Sequence, residues 1–294
     1  MANKEVPSER PLVGLALSGG AARGMAHVGV LRVLEEQGIP LDFIAGTSAG
    51  AIVGGAYAAG MTPAQLADFA VKMRWRDVGN LTLSRLGVQS NARFEDYLRE
   101  MLPVNTFAGC RIPFAAVATD LHTGVPVILR DECELAFAIR ASCTLPGWYI
   151  PVADAKGRQL IDGGVVQNIP AAAVRAMGAD VVIAVDVNAE GAKFMGEPRS
   201  AFGVILQSLM IVQRAAAERQ LEDADIVISP RIGHLRWDEM TRAAEFIAAG
   251  EQAARVTLER IKRLTAPEIP AKWYQIFTGK SKRVDSRRRL SPLP

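Results

Sequence analysis

The sequence predicts an α/β fold, a three-layer α/β/α sandwich with a mostly parallel central sheet. Two observations support this prediction. Short apolar runs typical of buried strands alternate with segments of helical spacing. In addition, residues 181–187 form a run rich in β-branched side chains, as in a strand that is buried on both faces. A parallel sheet buried in this way carries helices on both sides.

The predicted elements follow one another along the whole chain. Strands are predicted at residues 12–17, 43–45, 114–119, 125–129, 181–187 and 226–229. Helices are predicted at residues 25–37, 49–59, 202–212 and 237–264. Residues 62–102 are predicted to be helical with breaks. In the last helix, charged side chains such as Glu251 and Arg255 are predicted to form the outer face.

Length and charge divide the chain into a body and a tail. With 294 residues, 49% of them hydrophobic, the chain can bury about three quarters of its surface in one core. We therefore expect one domain at residues 1–279 and a basic, disordered tail at residues 280–294. From Lys280 to Arg289 there are six basic residues and one acidic residue, a net +5 in a chain of net +3. Such a tail is also suited to peripheral contact with an anionic membrane.

The cysteines and the first residues indicate a compartment. The three cysteines show no Cys-x-x-Cys spacing, so neither a disulfide framework nor a zinc site is predicted. After a polar start, the first apolar run ends at Ser18, which matches neither a signal peptide nor a spanning helix. We expect a cytoplasmic protein, peripheral to the inner face of the membrane if the tail binds lipid. The sequence carries no signal of oligomeric state.

Residues Gly46-Thr47-Ser48-Ala49-Gly50 have the form Gly-x-Ser-x-Gly between a predicted strand and a predicted helix. This is the setting of a nucleophile elbow, a strained turn that exposes the serine hydroxyl. Small residues at Gly46 and Gly50 let the strand and the helix approach each other closely. The pattern alone is equally typical of a tight turn with a capping serine. Ser48 is therefore a candidate nucleophile that needs support from the rest of the chain.

The glycine-rich segment Ser18-Gly19-Gly20-Ala21-Ala22-Arg23-Gly24 follows the first predicted strand and opens a helix. Its backbone N–H groups can face an anion with the helix dipole behind them. A nucleotide P-loop ends in Gly-Lys-Ser/Thr and the dinucleotide fingerprint is Gly-x-Gly-x-x-Gly, and both are missing. An oxyanion hole is the better interpretation. Arg23 either adds a guanidinium to that hole, orients the loop or is a surface residue.

Asp162-Gly163-Gly164 follows Leu160 and Ile161, so its carboxylate lies at a strand end, as in many structural turns. Its interest comes from Ser48, because a serine hydroxyl is a poor nucleophile until a base takes its proton.

Histidine is the ordinary base for a serine nucleophile, and the chain has three: His27, His122 and His234. Only His234 follows Ser48 and Asp162, in the Ser-Asp-His order of α/β-hydrolases. Against this alternative, the elbow follows a single strand-helix unit, whereas that fold generally places several strands first.

Together these segments resemble the patatin-like phospholipase family, most closely its bacterial members related to neuropathy target esterase, between residues 12 and 187. Residues 18–31 are similar to the family's glycine-rich oxyanion block, 46–50 to its nucleophile block and 162–170 to its catalytic aspartate block. Two further stretches, 118–121 and 140–147, are similar to recurring family segments without an assigned role. Ala21 departs from the family pattern, which has a third glycine there, but it keeps the N–H donor.

The resemblance implies a hydrolase that cleaves carboxylic ester bonds of phospholipids, lysophospholipids or related lipids. Ser48 attacks the carbonyl carbon, Asp162 accepts the serine proton without a histidine, and an acyl-enzyme forms. The N–H groups of Gly19, Gly20 and Ala21 stabilise the oxyanion. Gly163 and Gly164 complete the aspartate motif. No metal, cofactor or nucleic-acid partner is expected.

Two questions stay open at the level of sequence. The glycine loop from Gly19 to Gly24 also fits a non-catalytic phosphate-binding module, which is the third functional hypothesis. The strongly apolar helix at residues 202–212 is a core element, a wall for an acyl chain or a membrane-facing lid.

Overall fold

An eight-stranded sheet forms the centre of the molecule. The computed structural model describes residues 10–74, 79–82, 84–190, 197–198 and 200–267, apart from the side chains of residues 201, 202 and 206. Five strands are parallel and lie in the order β11, β10, β1, β2, β5. Their bounds are β1 Val13–Leu17, β2 Phe43–Thr47, β5 Phe114–Asp120, β10 Val181–Val185 and β11 Ile226–Ile228.

Three further strands join this sheet in antiparallel pairings. Strand β6 (Pro126–Leu129) and strand β9 (Gln159–Asp162) both pair with β5, and β8 (Val152–Ala153) pairs with β9. The helices are α1 Ala26–Glu36, α2 Ala49–Ala58, α3 Pro63–Lys72, α4 Ala92–Met101, α5 Leu135–Ser142, α6 Ala171–Ala176, α7 Ala201–Gln220 and α8 Ala243–Thr265. Short 3-10 turns occupy Ala21–Met25 and Gly163–Val165.

Two hydrophobic cores lie on opposite faces of the sheet. In β1, the side chains of Val13, Leu15 and Leu17 belong to the larger core, and Ala16 belongs to the smaller one. Because successive residues of a strand point to opposite faces, both faces of the central strands are buried. The larger core includes side chains of α1, α2, α3 and α8, and the smaller includes those of α6. The predicted three-layer α/β/α fold is confirmed.

The prediction for residues 62–102 was incomplete. This stretch contains the helices α3 and α4, but between them lie two short strands, β3 (Asn80–Leu81) and β4 (Gly87–Ser90). Strand β4 pairs in parallel with β7 (Gly147–Tyr149), and the three strands form a second small sheet. The partner strand is distant along the chain, so local residue pattern gives no signal of this pairing.

The last helix also differs from its prediction. It begins at Ala243, and the residues from 237 onward form a loop and a 3-10 turn (Met240–Arg242) before it. Of the predicted outer-face charges, Arg255 is exposed and Glu251 is half-buried. Both pair with α1, Glu251 with Arg32 at 2.5 Å and Arg255 with Glu36 at 3.0 Å.

Pro11–Thr265 forms one compact unit, and Met1–Arg10 together with Ala266–Pro294 forms another. The predicted basic tail at 280–294 lies outside the described residues, and the boundary at residue 279 stays a prediction. Within the described part of the chain, no helix combines the length and the apolar character that crossing a bilayer requires.

Helices α1 and α8 approach each other so closely that glycine is required at their contact. A Cβ on Gly29 would lie 2.0 Å from the carbonyl oxygen of Ile247, and one on Gly250 would lie 1.9 Å from that of Ala26. Both obstacles are helix backbone, which cannot turn aside as a side chain can. The pair of glycines therefore sets the distance between these two helices.

Gly29→Ala is expected to lower the free energy of unfolding by about 1–3 kcal/mol, the usual cost of overpacking. Urea denaturation followed by circular dichroism measures this change. The matched control is Gly203→Ala in α7, where the nearest atom to a new Cβ is 3.4 Å away. That variant is expected to be unchanged or up to about 1 kcal/mol more stable. An equal midpoint for Gly29→Ala and the wild type would contradict the close-contact argument.

Candidate active site

Strand pairing brings the predicted site segments together. β1 and β2 are parallel neighbours, so the glycine loop after β1 and Ser48 after β2 emerge at the same edge of the sheet. On its other side, β2 pairs with β5, in which Val117 lies opposite Thr47 and Ala118 lies opposite Asp162. Asp162 therefore lies one register position along β5 from Thr47, the residue that precedes Ser48.

Ser48 occupies a strained turn between β2 and α2. Its φ of 52° and ψ of −120° lie in a region that non-glycine residues rarely adopt. A Cβ on Gly46 would come within 2.3 Å of the carbonyl oxygen of Gly50, and one on Gly50 within 2.2 Å of that of Leu17. Only glycine fits at these two positions, as the predicted elbow requires.

Ser142, at the end of α5, supports this turn from inside the protein. Its Oγ accepts the Ser48 N–H at 2.8 Å and donates to the Val117 carbonyl oxygen at 2.6 Å. Ser142 is fully buried, so its partners have no water to replace it. The sequence offered no role for this residue, because the contact joins segments that are far apart along the chain.

Asp162 lies at the end of β9 beside the Ser48 hydroxyl. Its carboxylate accepts the Gly164 N–H at 2.7 Å and faces the Ser48 side chain. Burial raises the pKa of Asp162 to about 6, and the interactions with Ser48 and Gly164 act in the opposite direction. A carboxylate with this pKa is a stronger base than an exposed aspartate and is still mostly ionised at neutral pH.

The glycine loop offers two backbone donors to the site. Gly19 differs from its prediction, because its N–H donates to the Asn168 carbonyl oxygen at 3.1 Å. The N–H of Ala22 donates to the Trp237 carbonyl oxygen at 2.9 Å. Within the described part of the chain, the N–H groups of Gly20 and Ala21 have no protein partner. Both residues line the same cavity as Ser48.

Arg23 holds the loop from behind and does not enter the cavity. Its guanidinium donates to the Leu235 carbonyl oxygen at 3.4 and 3.3 Å and to Asn188 Oδ1 at 3.1 Å. Asn188 in turn donates from Nδ2 to the Gly19 carbonyl oxygen at 2.9 Å. Arg23 is almost fully buried, and this burial lowers its pKa. Of its three sequence interpretations, the geometry favours orientation of the loop.

None of the three histidines lines the cavity that contains Ser48. His122 and His234 are exposed. His27 is buried beneath the glycine loop, where its Nε2 hydrogen-bonds the Ser18 carbonyl oxygen at 2.8 Å. Burial lowers the pKa of His27 to about 4, so it is neutral at physiological pH.

A cavity of about 480 Å³ extends from Ser48 and Asp162. Its walls are mostly apolar and come from both layers and from the small sheet, with Met25, Val28, Leu66, Phe69, Phe94, Trp148, Tyr149, Leu209, Met210 and Met240 among them. The predicted apolar helix at residues 202–212 is the first part of α7. Since Leu209 and Met210 line the cavity, the helix is a wall of the site and not a core element.

Cys143 is a further cavity residue that sequence analysis did not single out. Burial, together with the charge of Asp162, raises the pKa of its thiol well above the usual value. The thiol is therefore protonated at neutral pH and does not compete with Ser48 as a nucleophile.

The charged groups around the cavity are few. Among the described residues, the charged side chains in its lining are Asp162 and Asp238, and no lysine or arginine contributes. In the same part of the chain, no group of three His, Cys, Asp or Glu side chains is arranged to hold a metal ion. The lining therefore favours a neutral ligand over an anionic one.

Comparison with known proteins agrees with this geometry. Residues 15–175 match the model of the patatin-like phospholipase family. The match covers more than half of the 294 residues, and the chain belongs to this family. The resemblance expected from the sequence motifs is confirmed.

Individual relatives extend the comparison. An NTE family protein of Mycobacterium tuberculosis is 38% identical over 184 residues, which cover 62% of this chain and 50% of that protein. Lysophospholipase NTE1 of Mycosarcoma maydis is 38% identical over 181 residues, covering 60% of this chain and 10% of that protein. The chain thus spans half or less of these relatives. The structure of VipD from Legionella pneumophila superposes with a TM-score of 0.55 over 86% of this chain and 67% of that chain, at 14% identity, which is a likeness of fold.

Ser142→Ala is expected to lower the free energy of unfolding by about 1–3 kcal/mol, because it leaves the Ser48 N–H and the Val117 carbonyl unpaired. Urea denaturation measures this loss. The control is Ser208→Ala on α7, since Ser208 is exposed and, within the described part of the chain, its hydroxyl bonds only its own helix at Val204. That variant should stay within about 0.5 kcal/mol of the wild type. Equal losses for both variants would show that Ser142 does not support the turn.

Proposed function

We propose that this chain hydrolyses carboxylic ester bonds of phospholipids, lysophospholipids or related lipids, with Ser48 as nucleophile and Asp162 as base. One observation carries the proposal: the side chain of a strained serine faces a buried carboxylate at an apolar cavity. The family supports lipid esters as the substrate class, and one relative is named as a lysophospholipase. A cytoplasmic location at the membrane's inner face belongs to the same proposal.

In the first half-reaction, Asp162 accepts the hydroxyl proton of Ser48 while Oγ bonds to the ester carbonyl carbon. Negative charge then develops on the carbonyl oxygen, which accepts hydrogen bonds from the N–H groups of Gly20 and Ala21. As this intermediate collapses, the bond to the alkoxy oxygen breaks. The leaving alcohol takes the proton from Asp162, and the acyl group remains on Ser48.

In the second half-reaction, water attacks the acyl carbon and Asp162 accepts its proton. The same two N–H groups stabilise the second oxyanion. When the bond to Oγ breaks, Asp162 returns the proton to Ser48, and the carboxylic acid leaves. Each proton that Asp162 accepts is returned within the same half-reaction, so a single carboxylate suffices.

The residues around Ser48 and Asp162 orient the glycine loop and give the reaction an environment of low dielectric. Arg23 and Asn188 fix the glycine loop from behind, so the donors of Gly20 and Ala21 are in position before the substrate binds. An acyl chain in the apolar cavity excludes water from the reacting carbonyl, which strengthens these interactions.

The two other hypotheses have less support. A histidine-dependent mechanism requires an imidazole beside Ser48, whereas His234 is exposed and lies outside the cavity lining. A phosphate-binding module requires cations at the glycine loop, whereas the lining contains no lysine or arginine among the described residues.

Ser48→Ala and Asp162→Asn are each expected to abolish hydrolysis of short acyl esters, with losses of about a thousandfold or more in turnover. The first removes the atom that forms the acyl-enzyme, and the second removes the base. Because the two residues act as one unit, the double variant should be scarcely worse than either single one. A fluorophosphonate probe followed by peptide mapping should label Ser48 in the wild type.

His234→Ala is the matched control and should keep most of the activity. The fold of Asp162→Asn is checked by thermal unfolding near pH 8. Because the folded-state pKa of Asp162 lies above its ordinary value, its ionisation costs stability at that pH, so the asparagine variant should be at least as stable as the wild type. If folded Asp162→Asn kept more than about a tenth of the turnover, Asp162 would not be the base.

The pH dependence follows from the same carboxylate. Asp162 must be ionised to accept a proton, and its pKa of about 6 lies well above that of an exposed aspartate. We therefore expect kcat/KM for a short ester to be level above about pH 7 and to fall about tenfold per unit well below pH 6. A profile that stays level down to about pH 4.5 would show an unperturbed carboxylate and contradict the burial argument.

A further inference from the structure

The outward face of α7 is apolar along its first three turns. Val204, Ile205, Ile211 and Val212 lie on this face, with exposed fractions of 51%, 66%, 55% and 60%. The stretch between Arg199 and Arg214 contains no charged residue. A helix on the surface of a globular protein normally turns a charged face to water. This face of α7 is therefore poorly matched to water as its neighbour.

The polar group on this face is already satisfied. Ser208 lies between the exposed aliphatic side chains, and its hydroxyl donates to the Val204 carbonyl oxygen at 2.8 Å. Removal of water from this face therefore leaves the Ser208 donor with its hydrogen-bond partner. The C-terminal part of the helix is different, since Glu218 and Arg219 are exposed. The apolar character is limited to the part of α7 that borders the cavity.

The same part of α7 forms an edge of the cavity mouth. Leu209 and Met210 line the cavity and are partly exposed, as are Trp148 and Trp237. The lining residues at greater depth, such as Phe94, are buried. The partly exposed residues mark where the cavity opens to the outside.

A second apolar projection belongs to the same mouth. The β3–β4 hairpin exposes Leu81, Leu86 and Val88, with 82% of Leu81 accessible. Strand β4 pairs with β7, whose residues Trp148 and Tyr149 line the cavity. Two elements from distant parts of the sequence thus carry exposed aliphatic side chains beside one opening. Isolated exposed aliphatic residues are ordinary, but two such groups at one cavity mark an interaction surface.

We propose that these seven side chains form a docking face that lies on a lipid surface and holds the cavity mouth against it. The docking face consists of Val204, Ile205, Ile211 and Val212 of α7 with Leu81, Leu86 and Val88 of the hairpin. This inference rests on the proposed lipid ester hydrolase function, since the surface then delivers the substrate directly to Ser48.

The position of the docking face favours lipid over a protein partner. Any partner that covers both projections also covers the mouth between them. A second copy of the chain would close the entrance to Ser48, whereas a lipid surface is the source of the substrate. The uncharged stretch of α7 is only about 18 Å long at 1.5 Å per residue, so this stretch is too short to span a bilayer and lies in its interface.

Charge indicates which lipid surface fits. The α7 part of the docking face is neutral, so its affinity comes from buried apolar area and not from attraction to anionic headgroups. The hairpin part adds an exposed cation, Arg85, so binding should occur on zwitterionic lipid and depend only weakly on salt. This separates the docking face from the basic tail, whose binding is expected to need anionic lipid and to weaken as salt increases.

The test compares two valines on exposed helix faces. Val212→Asp alters the docking face, and Val256→Asp makes the same change on α8, where Val256 is 81% exposed and lies outside the lining of the Ser48 cavity. The full chain and both variants are sedimented with phosphatidylcholine vesicles at low and high salt. A second pair of assays measures hydrolysis of vesicle lipid and of a soluble short-chain ester below its solubility limit.

We expect Val212→Asp to weaken vesicle binding about tenfold or more and to slow hydrolysis of vesicle lipid in parallel. Turnover of the soluble ester should be unchanged, and Val256→Asp should resemble the wild type in every assay. The double variant Leu81→Asp/Val212→Asp should bind more weakly still. Binding that is equal for both single variants, or absent for the wild type, overturns the docking face.

Other outcomes separate the two proposals. If light scattering shows a dimer that Val212→Asp dissociates, and vesicles are not bound, the face joins two copies and the lipid proposal is wrong. If the wild type binds vesicles in the expected way but cleaves neither ester, the docking face stands and the proposed hydrolase function fails.

Discussion

The strained backbone of Ser48 is the feature on which the rest of the site depends. A positive φ at a serine persists only where the surroundings leave no alternative, and here backbone contacts at Gly46 and Gly50 surround the turn. The Ser48 N–H donates to Ser142 Oγ, and the Ser48 hydroxyl faces Asp162. The parallel register of β1, β2 and β5 and the antiparallel pairing of β9 with β5 together fix these positions. The site is thus a property of the sheet edge, and the loops add the oxyanion donors.

Burial raises the basicity of Asp162, so that a single carboxylate can act as the base. It also means that a fall in activity at low pH does not distinguish an aspartate base from a histidine base. An exposed aspartate is ionised throughout the neutral range, whereas burial raises the pKa of Asp162 to about 6. A free histidine titrates near 6.5, so an acid limb in a pH profile is common to both mechanisms. The decisive distinction is positional: the imidazoles of His122 and His234 are exposed, and that of His27 is bonded to Ser18 behind the glycine loop.

The candidate site residues that the sequence predicted are those that depend on local pattern. Ser48, Asp162 and the glycine loop each follow an apolar strand, and the strands themselves were recognisable from their apolar runs. The contacts that link distant segments were not recognisable. The Gly19 N–H donates to the carbonyl oxygen of Asn168, Arg23 donates to that of Leu235, and β4 pairs with β7. The local sequence around these residues does not predict any of these contacts.

Helix α7 shows why an apolar run alone did not decide between a core element and a wall of the site. Both predict a stretch without charge, and they differ only in what covers each face of the helix. Here one face closes the cavity through Leu209 and Met210, and the opposite face is open. A helix that is apolar on both sides is stable in water only at a cost, which a lipid surface offsets on the outer face and an acyl chain on the inner one. Both faces therefore gain most from the same neighbour, and the helix connects the surface that supplies a lipid with the cavity that receives its acyl chain.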